Sequence, residues 1–406
     1  MRNKMKELLN IVVVGEFDSG KSTLIGRLLY DTHSISKNII DEVVKISKDS
    51  EKDFEFTYLL DSLEEERKDK LTIDTTQVFC KNKKGGGFVF IDVPGHQGLI
   101  KNMLCGSSYA DIAILVADVQ KSIEPQTRRH AFLLKFLGIE QIIVVLNKMD
   151  LASFNEIIFK KVKDEIAEFF TKIRLAPKYF IPISANQGDN LIKKSKKMPW
   201  YKELSLIEAL NTCLRKEEDG ALRLPIQDIY NIDKEKVAVG RIISGEIKKG
   251  EKVNVLPSNS QGIVKRIKVF NQNKSLARVP ESIGLIIDDN DSLKRGQILY
   301  KENLPSVKKE ILSKIFCVYP LKINENLIIR CLTQESRIRI SQINRVWDSV
   351  SLEPKTKGNI LVKNDVAEVI LIAENPVVVE RFTGTNSLGR FVLKRNDGIC
   401  AIGVIY

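Results

Sequence analysis

The residues with the clearest chemical use stand between positions 15 and 23, in the order Gly15-Glu16-Phe17-Asp18-Ser19-Gly20-Lys21-Ser22-Thr23. They follow the apolar run Leu8–Val14, which predicts a buried parallel strand. A glycine, four residues and then Gly-Lys-Ser is the pattern of a phosphate-binding loop, whose backbone N–H groups surround an anion at the start of the next helix. Lys21 would reach the β- and γ-phosphates, and the Ser22 hydroxyl would bind Mg²⁺. With the helical pattern Ser22–Tyr30 behind it, this stretch predicts a nucleotide site.

A second candidate segment follows the apolar strand pattern Phe88–Asp92 and reads Asp92-Val93-Pro94-Gly95-His96. A carboxylate at a strand end facing the phosphate loop can hold Mg²⁺ through water, and the Gly95 N–H can contact the γ-phosphate. His96 is one of three histidines and is either structural or placed beside the attacking water. Its position directly after this glycine favours the second interpretation.

The long charged connection that precedes this strand contains Thr72. Connections of this length are usually functional or mobile. A threonine here completes the Mg²⁺ shell in nucleotide switches once a γ-phosphate is bound. From this stretch alone, Thr72 as an ordinary strand-entry residue is an equal alternative.

The tetrapeptide Asn147-Lys148-Met149-Asp150 has a use specific to guanine. The Asp150 carboxylate can accept both N1–H and N2–H, a donor pair that adenine lacks. The Asn147 amide can bond N7, the Lys148 stem can lie along the base, and Ser184–Ala185 can offer an N–H to O6. Because these groups follow a phosphate loop in this order, the nucleotide predicted is GTP.

Strand and helix patterns alternate through the first half of the chain, which predicts a parallel sheet covered on both faces. Ligands of such sheets lie at the carboxyl ends of the strands, where all the residues above fall. The predicted strands are Ile112–Ala117, Ile142–Leu146 and Phe180–Ile183, and the predicted helices are Thr127–Leu137, Asn155–Thr171 and Leu204–Leu214.

After a charged linker, the pattern changes to short alternating strands with glycine turns, which predicts β-barrels. Strand patterns there include Lys252–Leu256, Ala367–Ile372, Val377–Glu380 and Arg390–Leu393. The expected fold is therefore an α/β phosphate-loop GTPase domain followed by two all-β barrels. The expected domains are residues 1–218, 219–303 and 304–406.

Composition narrows the class of protein. The 406 residues contain no uncharged run of about 18 apolar residues, so we expect no membrane span. The apolar run at the start leads directly into the phosphate loop, so we do not interpret it as a signal peptide. Six scattered cysteines without a CxxC pair suit a reducing cytosol. The net charge of +12 fits either a solvated lysine-rich surface or an RNA-binding face, and the general abundance of lysine favours the first.

With these guanine-nucleotide elements in place, the chain resembles the translation-factor-type GTPases over essentially its whole length. The resemblance maps His96 onto the family's hydrolytic histidine, Thr72 onto its switch threonine and Asp18 onto its loop aspartate. It thus implies Lys21, Thr72 and His96 as catalytic residues and Ser22, Thr72 and Asp92 as Mg²⁺ ligands. The implied GTP-binding residues are Gly15, Asp18, Ser19, Gly20, Lys21, Ser22, Thr23, Asp92, Gly95, Asn147, Lys148, Asp150, Ser184 and Ala185.

Within this class, the segments Gly26–Thr32, Gln126–His130, Ser184–Asn190 and Met198–Tyr201 look most like the GTPase subunit of heterodimeric sulfate adenylyltransferase. That resemblance implies a cytoplasmic protein that uses GTP hydrolysis to drive a catalytic small subunit. The small subunit makes adenylyl sulfate and pyrophosphate from ATP and sulfate.

Two residues depart from the family pattern. Lys70 stands where a glycine usually precedes the switch threonine, and Phe17 replaces a small aliphatic residue in the phosphate loop. Both changes affect the expected hydrolysis rate and leave nucleotide binding intact. Two alternatives to the sulfate-activating subunit stay open. One is a GTP-dependent carrier of aminoacyl-tRNA or a ribosome-associated factor, and the other is a paralogue that acts with a different partner.

Overall fold

The computed structural model describes most of the chain. Contacts between residues divide the chain into two compact units, Met1–Arg215 and Lys216–Tyr406. The side chains of residues 42, 45–49, 76 and 92 lie outside the description. The described residues are 8–49, 56–60, 76–82, 86–92, 110–121, 123–215, 220–232, 235–269, 272–288, 293–356, 358–384, 386–396 and 398–406. The predicted domain boundaries at 218/219 and 303/304 stay a proposal.

The first unit is built on a six-stranded sheet in the order β2-β3-β1-β4-β5-β6. All neighbours run parallel except β2, which pairs antiparallel with β3. The predicted parallel sheet is therefore confirmed, with an antiparallel edge strand that the sequence analysis missed. The strands are β1 Leu8–Gly15, β2 Thr76–Lys81, β3 Gly87–Asp92, β4 Ile112–Asp118, β5 Ile142–Asn147 and β6 Tyr179–Pro182.

Three helices of this unit match the predicted pattern, and a fourth departs from it in length. The predicted helix Leu204–Leu214 is wrong in length, because the helix covers only Leu206–Leu210. The Thr212 hydroxyl donates to the carbonyl of Ala209 at 2.7 Å, and this side-chain bond accompanies the turn that ends the helix. The helices are α1 Lys21–Asp31, α2 Lys37–Asp49, α3 Pro125–Phe136, α4 Glu156–Lys172 and α5 Leu206–Leu210, and residues 56–60 are also helical.

The order of the strands explains where the site lies. Strand β1 is flanked by β3 on one side and β4 on the other, so the chain connections diverge at its carboxyl end. Ligands of open α/β sheets bind in the crevice that opens at such a point. The phosphate loop stands there, between the end of β1 at Gly15 and the start of α1 at Lys21.

The second unit contains two closed six-stranded rings. In the first, β10-β15-β7-β8-β14-β11 close through a pairing of β11 with β10. Alternating side chains of these strands fill its core. The strands are β7 Arg223–Ile232, β8 Glu235–Arg241, β9 Glu246–Lys248, β10 Lys252–Leu256, β11 Ser260–Val269, β12 Gln272–Lys274, β13 Leu276–Arg278, β14 Ser282–Ile287 and β15 Ile298–Tyr300.

In the second ring, β18-β23-β24-β16-β22-β19 close through a pairing of β19 with β18. The two strands predicted at Ala367–Ile372 and Val377–Glu380 are one continuous strand, β22. The strands are β16 Ser306–Cys317, β17 Leu321–Lys322, β18 Leu327–Cys331, β19 Gln334–Asp348, β20 Pro354–Lys355, β21 Ile360–Leu361, β22 Asp365–Val379, β23 Arg390–Arg395 and β24 Gly398–Ile405.

The two rings share part of one apolar core. Leu256 of β10 and Ile298 of β15 pack with the buried residues of the second ring. Arg223 of β7 lies in the same region, and only 6% of its surface is exposed. Its guanidinium donates to Glu380 at 2.7 and 2.8 Å, to the carbonyls of Leu222 and Glu302, and to that of Asn303. The charge and its donors are therefore satisfied despite the burial.

The cysteines in the described ranges are free thiols and are all buried. Burial raises the pKa of the Cys331 thiol to about 12. None of the helices in these ranges combines the length and apolar character that a membrane span requires.

Candidate nucleotide site

The phosphate loop has the backbone conformation that its glycines predict. Gly20 precedes α1 with φ of 88°, in the left-handed region where a side chain is strained. A Cβ atom at Gly15 would lie 2.3 Å from the carbonyl oxygen of Val116 on β4. Inside the loop, the Ser19 hydroxyl donates to the carbonyl of Glu16 at 2.9 Å. The loop is thus closed on itself and packed directly against the sheet.

The ammonium group of Lys21 lies against this loop. Its Nζ donates to the carbonyl oxygen of Gly15 at 3.1 Å and also to that of Glu16. Ser22 and Thr23 follow on the first turn of α1, where backbone N–H groups lack partners within the helix. The Thr23 hydroxyl lies 3.3 Å from that of Thr57. The Lys21 cation, Ser22 and the helix N-terminus therefore form the combination that suits the phosphates of a nucleotide.

The side chain of Asn147 joins two segments of the site. It is 2% exposed, at the end of β5. Its Nδ2 donates to the carbonyl of Ser19 at 2.9 Å, and its Oδ1 accepts the N–H of Ala185 at 2.9 Å. A Cβ atom at Gly20 would lie 2.3 Å from that Nδ2. The second glycine of the phosphate loop is therefore required both by its φ angle and by the approach of Asn147.

The two charged residues of the Asn-Lys-Met-Asp segment differ in their surroundings. Lys148 has φ of 66°, and its Nζ pairs with a carboxylate oxygen of the buried Asp118 at 2.8 Å. This pairing fixes the lysine stem across the end of β4. The Asp150 carboxylate is half-buried and makes no hydrogen bond or ion pair with any residue in the described ranges. It therefore keeps both oxygens available as acceptors.

The loop after β6 contains Ser184 and Ala185, which were predicted to offer an N–H to O6, and both of these amides are bonded within the protein in this structure. The Ala185 N–H is engaged by Asn147, and the Ser184 hydroxyl accepts the N–H of Gln187 at 3.2 Å. The next amide, Asn186 N–H, is exposed and makes no hydrogen bond within the described part of the chain. Arg27 of α1 donates to the carbonyl of Asn186 in this loop at 2.7 Å. This role was not predicted from the sequence, although the i,i+4 spacing of Arg27 to Asp31 was a visible signal.

The predicted Mg²⁺ ligands are only partly within the description. Ser22 stands at the start of α1, and the backbone of Asp92 ends β3 in register with Val13 of β1. Both residues therefore lie at the same end of the sheet as the phosphate loop. A hydroxyl and a carboxylate are oxygen ligands, which Mg²⁺ prefers, so the donor set fits the metal. Thr72, Gly95 and His96 lie outside the described residues, as does Lys70.

Phe17, the departure within the phosphate loop, is 84% exposed. It lines a shallow groove that runs between the loop and helices α3 and α4. On the wall of that groove, the N–H and hydroxyl of Thr127 approach the Glu16 carboxylate at 3.3 and 3.5 Å. The aromatic ring is thus presented to solvent beside the nucleotide loop and contributes little to the core.

Comparison with known proteins covers all three parts of the chain. Residues 6–216 match the elongation factor Tu GTP binding domain. Residues 235–300 match elongation factor Tu domain 2, and residues 314–406 match the GTP-eEF1A C-terminal domain-like family. Together with the phosphate loop at the switch point of the sheet, these matches define a translation-factor-type GTPase. The chain belongs to the elongation factor Tu and elongation factor 1-alpha family of GTPases, which bind GTP with Mg²⁺.

Full-length relatives carry two different names. Elongation factor 1-alpha of Pyrococcus furiosus is 36% identical, covering 99% of this chain and 98% of that protein. Elongation factor 1-alpha of Archaeoglobus fulgidus is 35% identical, covering 96% and 95%. Sulfate adenylyltransferase subunit 1 of Bacteroides fragilis is 33% identical, covering 100% and 87%. The crystal structure of sup35 complexed with GDP is 23% identical with a TM-score of 0.45, covering 100% of this chain and 96% of that one.

Proposed function

We propose that this GTPase is the GTP-hydrolysing subunit of a sulfate-activating enzyme. In this role it drives adenylyl transfer from ATP to sulfate in a partner catalytic subunit, with which it forms a heterodimer. The chain itself converts GTP to GDP and phosphate, and the partner makes adenylyl sulfate and pyrophosphate. The full-length similarity to sulfate adenylyltransferase subunit 1 supports this role.

The residues at the nucleotide site take the following parts. Lys21 and the N–H groups of the phosphate loop bind the β- and γ-phosphates, and the Asp150 carboxylate accepts the N1–H and N2–H groups of guanine. Ser22, Thr72 and Asp92 would hold the metal, which neutralises charge that develops on the phosphate oxygens. His96 orients the water that attacks the γ-phosphate. Asn147 keeps the phosphate loop and the 184–190 loop at a fixed distance, since one buried amide is bonded to both.

The full-length similarity to sulfate adenylyltransferase subunit 1 is the observation that carries the proposal. A nucleic-acid face needs cationic groups that are free to contact phosphates. In the described part of the rings, nine basic side chains are in ion pairs with carboxylates, which is compatible with a protein partner. These residues are Arg223, Lys248, Arg266, Lys274, Arg278, Lys301, Arg330, Lys355 and Arg395.

The second candidate is an elongation-factor-like GTPase that carries aminoacyl-tRNA or acts on the ribosome. The archaeal elongation factors favour it, since they match at 35% and 36% identity over almost the whole chain. The net charge of +12 is also compatible with it. The two candidates share the nucleotide site and differ in the partner.

One paired experiment separates them. The chain is co-expressed and co-purified with the product of its neighbouring gene, and pyrophosphate release from ATP is measured with and without sulfate and GTP. In parallel, aminoacyl-tRNA is titrated into the GTP and GDP forms at two salt concentrations.

We expect GTP to increase sulfate-dependent pyrophosphate release and a non-hydrolysable GTP analogue not to sustain it. The His96→Ala protein is the matched control, because it should retain the complex and lose the GTP stimulation. GTP-dependent tRNA binding that weakens steeply with salt, without sulfate-dependent pyrophosphate release, would establish the second candidate instead. Absence of both signals contradicts both candidates and leaves a GTPase with another partner.

A further inference from the structure

Arg27 contacts Asp31 of its own helix, α1, and two separate segments of the first unit. Its Nε donates to the two carboxylate oxygens of Asp31 at 3.0 and 2.9 Å. Its Nη1 donates to the carbonyl oxygen of Asn186 at 2.7 Å. Its guanidinium carbon lies 4.8 Å from the ring centroid of Phe56. The helix that follows the phosphate loop is thereby joined to the loop after β6.

The geometry uses properties that only arginine offers. A guanidinium is a planar group with donors in several directions, so it can bond a carboxylate and a carbonyl at once while its face lies against an aromatic ring. An i,i+4 ion pair alone contributes little to the stability of a helix. The Asp31 carboxylate therefore matters chiefly because it orients the guanidinium toward Asn186.

The loop is shaped to receive this side chain. Gly188 has φ of 80°, and a Cβ atom there would lie 2.4 Å from Nη2 of Arg27. Its N–H donates to the carbonyl of Ser184 at 2.8 Å, which closes the loop on itself. The bend that brings Asn186 to Arg27 is therefore possible because residue 188 has no side chain.

We propose that Arg27 is a positioning residue for guanine recognition. By holding the Asn186 carbonyl, it holds the Asn186 N–H where it donates to the O6 oxygen of the base. The Ala185 N–H is already bonded to Asn147 in this structure, so Asn186 is the next amide of the loop that is open to a ligand. The inference rests on the proposed base site, in which Asp150 binds the N1–H and N2–H groups.

The test compares nucleotides that differ at one edge of the base. 6-Thio-GDP keeps the N1–H and N2–H groups and replaces the O6 acceptor by a weaker one. Inosine diphosphate keeps O6 and lacks the 2-amino group. Dissociation constants for GDP and both analogues are measured by competition against a fluorescent GDP in mildly acidic buffer, using the full chain.

For the wild type we expect GDP to bind roughly tenfold more tightly than 6-thio-GDP, the worth of about one hydrogen bond. In Arg27→Met this ratio should fall to within about twofold of unity, while the ratio of GDP to inosine diphosphate stays at the wild-type value. Arg27→Lys should behave like Arg27→Met, because an ammonium cannot bond Asp31 and Asn186 in the same geometry. Asp31→Asn should give an intermediate ratio.

Arg174→Met is the matched control, because Arg174 is exposed and its side chain lies outside this contact. Circular dichroism verifies the fold of each variant, and the milder Arg27→Lys and Asp31→Asn proteins keep the test valid if Arg27→Met does not fold. Wild-type ratios in both Arg27 variants would overturn the proposal, as would a parallel fall of both ratios, which indicates general distortion. Equal affinity of the wild type for GDP and 6-thio-GDP would show that the protein makes no hydrogen bond to O6, and would also overturn the proposal. Equal affinity of the wild type for GDP and ADP would instead contradict the proposed guanine-binding site itself.

Discussion

At the scale of single residues, the organisation of the site depends on the buried amide of Asn147. Its Nδ2 donates to the carbonyl of Ser19, and its Oδ1 accepts the N–H of Ala185. The phosphate loop and the 184–190 loop therefore cannot move independently. Breaking a buried hydrogen bond costs the desolvation of the group left behind, about 1–3 kcal/mol. Substitutions that displace Asn147 should therefore affect phosphate binding and base selection together.

Gly20→Ala tests this coupling. The new methyl group would meet Asn147 Nδ2 at 2.3 Å, in a backbone with φ of 88°. We expect GDP affinity to fall by at least tenfold, measured by calorimetry. Gly250→Ala is a matched control, since Gly250 has φ of 86° and open space around the position of a Cβ. The control should lose only about 1–2 kcal/mol of stability from backbone strain and retain its GDP affinity. Equal GDP affinity in the two variants would contradict the role given to Asn147.

Asp150→Asn should change the base that is preferred. The amide can donate to the C2 oxygen of xanthine, and it loses the paired acceptance of N1–H and N2–H from guanine. We expect GTP affinity to fall by a few kcal/mol, and binding of xanthosine triphosphate to become tighter than binding of GTP. Nucleotide competition measures both. Asp164→Asn, an exposed change on α4, should alter neither affinity, and a variant that keeps the wild-type preference for GTP would refute the base assignment.

His96→Ala should separate hydrolysis from binding. We expect GTP affinity close to the wild-type value and hydrolysis slowed by roughly 10²-fold or more, the usual scale for a group that positions a proton transfer. Single-turnover hydrolysis with the partner present measures the rate. Lys21→Ala serves as the comparison, since it should lose nucleotide binding altogether. An unchanged rate in His96→Ala would show that this histidine is structural.

The sequence predicted which residue types lie together at the site. It did not predict several of the hydrogen-bond partners of these residues. The pattern placed Asn147 near the nucleotide because strand ends of a parallel sheet lie together. It assigned the amide to the base, and the structure bonds it to Ser19 and Ala185. Side-chain hydrogen bonds between residues 128 and 38 positions apart depend on tertiary geometry, which periodicity does not encode.

At the scale of secondary-structure elements, prediction was best where one apolar pattern fills a whole element. Strand β5 and helix α4 lie within one residue of the predicted bounds at each end, and Asn155 is the N-cap of α4, bonded to the N–H groups of Ile157 and Ile158. The antiparallel strand β2 was missed because Thr76–Lys81 is short and is followed by lysines and glycines, which are typical of a loop. Its pairing with β3 is a tertiary effect that overrides local composition.

The turn after β19 makes a pH prediction. The Asp348 carboxylate accepts the N–H groups of Val350 and Ser351 and pairs with Lys355 at 3.1 Å. Partial burial raises the pKa of Asp348, but the hydrogen bonds from Ser351, Val350 and Lys355 outweigh it, so the net pKa is lowered. A carboxyl group with a lowered folded pKa contributes stability that is present above its unfolded pKa and lost as the pH falls through the folded pKa.

Asp348→Asn should therefore be less stable than the wild type near neutral pH, and the difference should shrink below about pH 4, near the unfolded pKa of an aspartate. Urea unfolding at a series of pH values measures it. The exposed Glu374→Gln protein is the comparison and should follow the wild type at every pH. A difference between Asp348→Asn and the wild type that is constant with pH would mean that the charge of Asp348 is not what stabilises the turn.

At the scale of the whole molecule, the two rings of the second unit act as one structural body. They share apolar core residues, and Arg223 joins the start of the first ring to the end of β22. Three backbone carbonyls surround the same guanidinium. Removing one member of such a buried pair leaves the other members unsatisfied.

We expect Arg223→Met to reduce the stability of this unit by about 2–4 kcal/mol, somewhat less than a fully buried pair would, because a quarter of the Glu380 side chain is exposed. Trp347 on β19 reports the unfolding of this unit by fluorescence in a Trp200→Phe background. The surface pair of Arg278 and Glu246 is the control, and Arg278→Met should change stability by less than about 1 kcal/mol. Equal effects of the two substitutions on stability would contradict the role of Arg223 in joining the two rings.

Ring closure also restricts how another molecule can attach to this unit. A strand at a free sheet edge offers a row of backbone N–H and C=O groups, and many peptides bind by adding one more strand there. The twelve ring strands have neighbours on both sides, so the main chain of their paired residues is already engaged. Over these paired stretches, another molecule can attach to the ring walls only through side chains. Surface side chains then determine which partner binds, and they can be substituted one at a time without disrupting the rings.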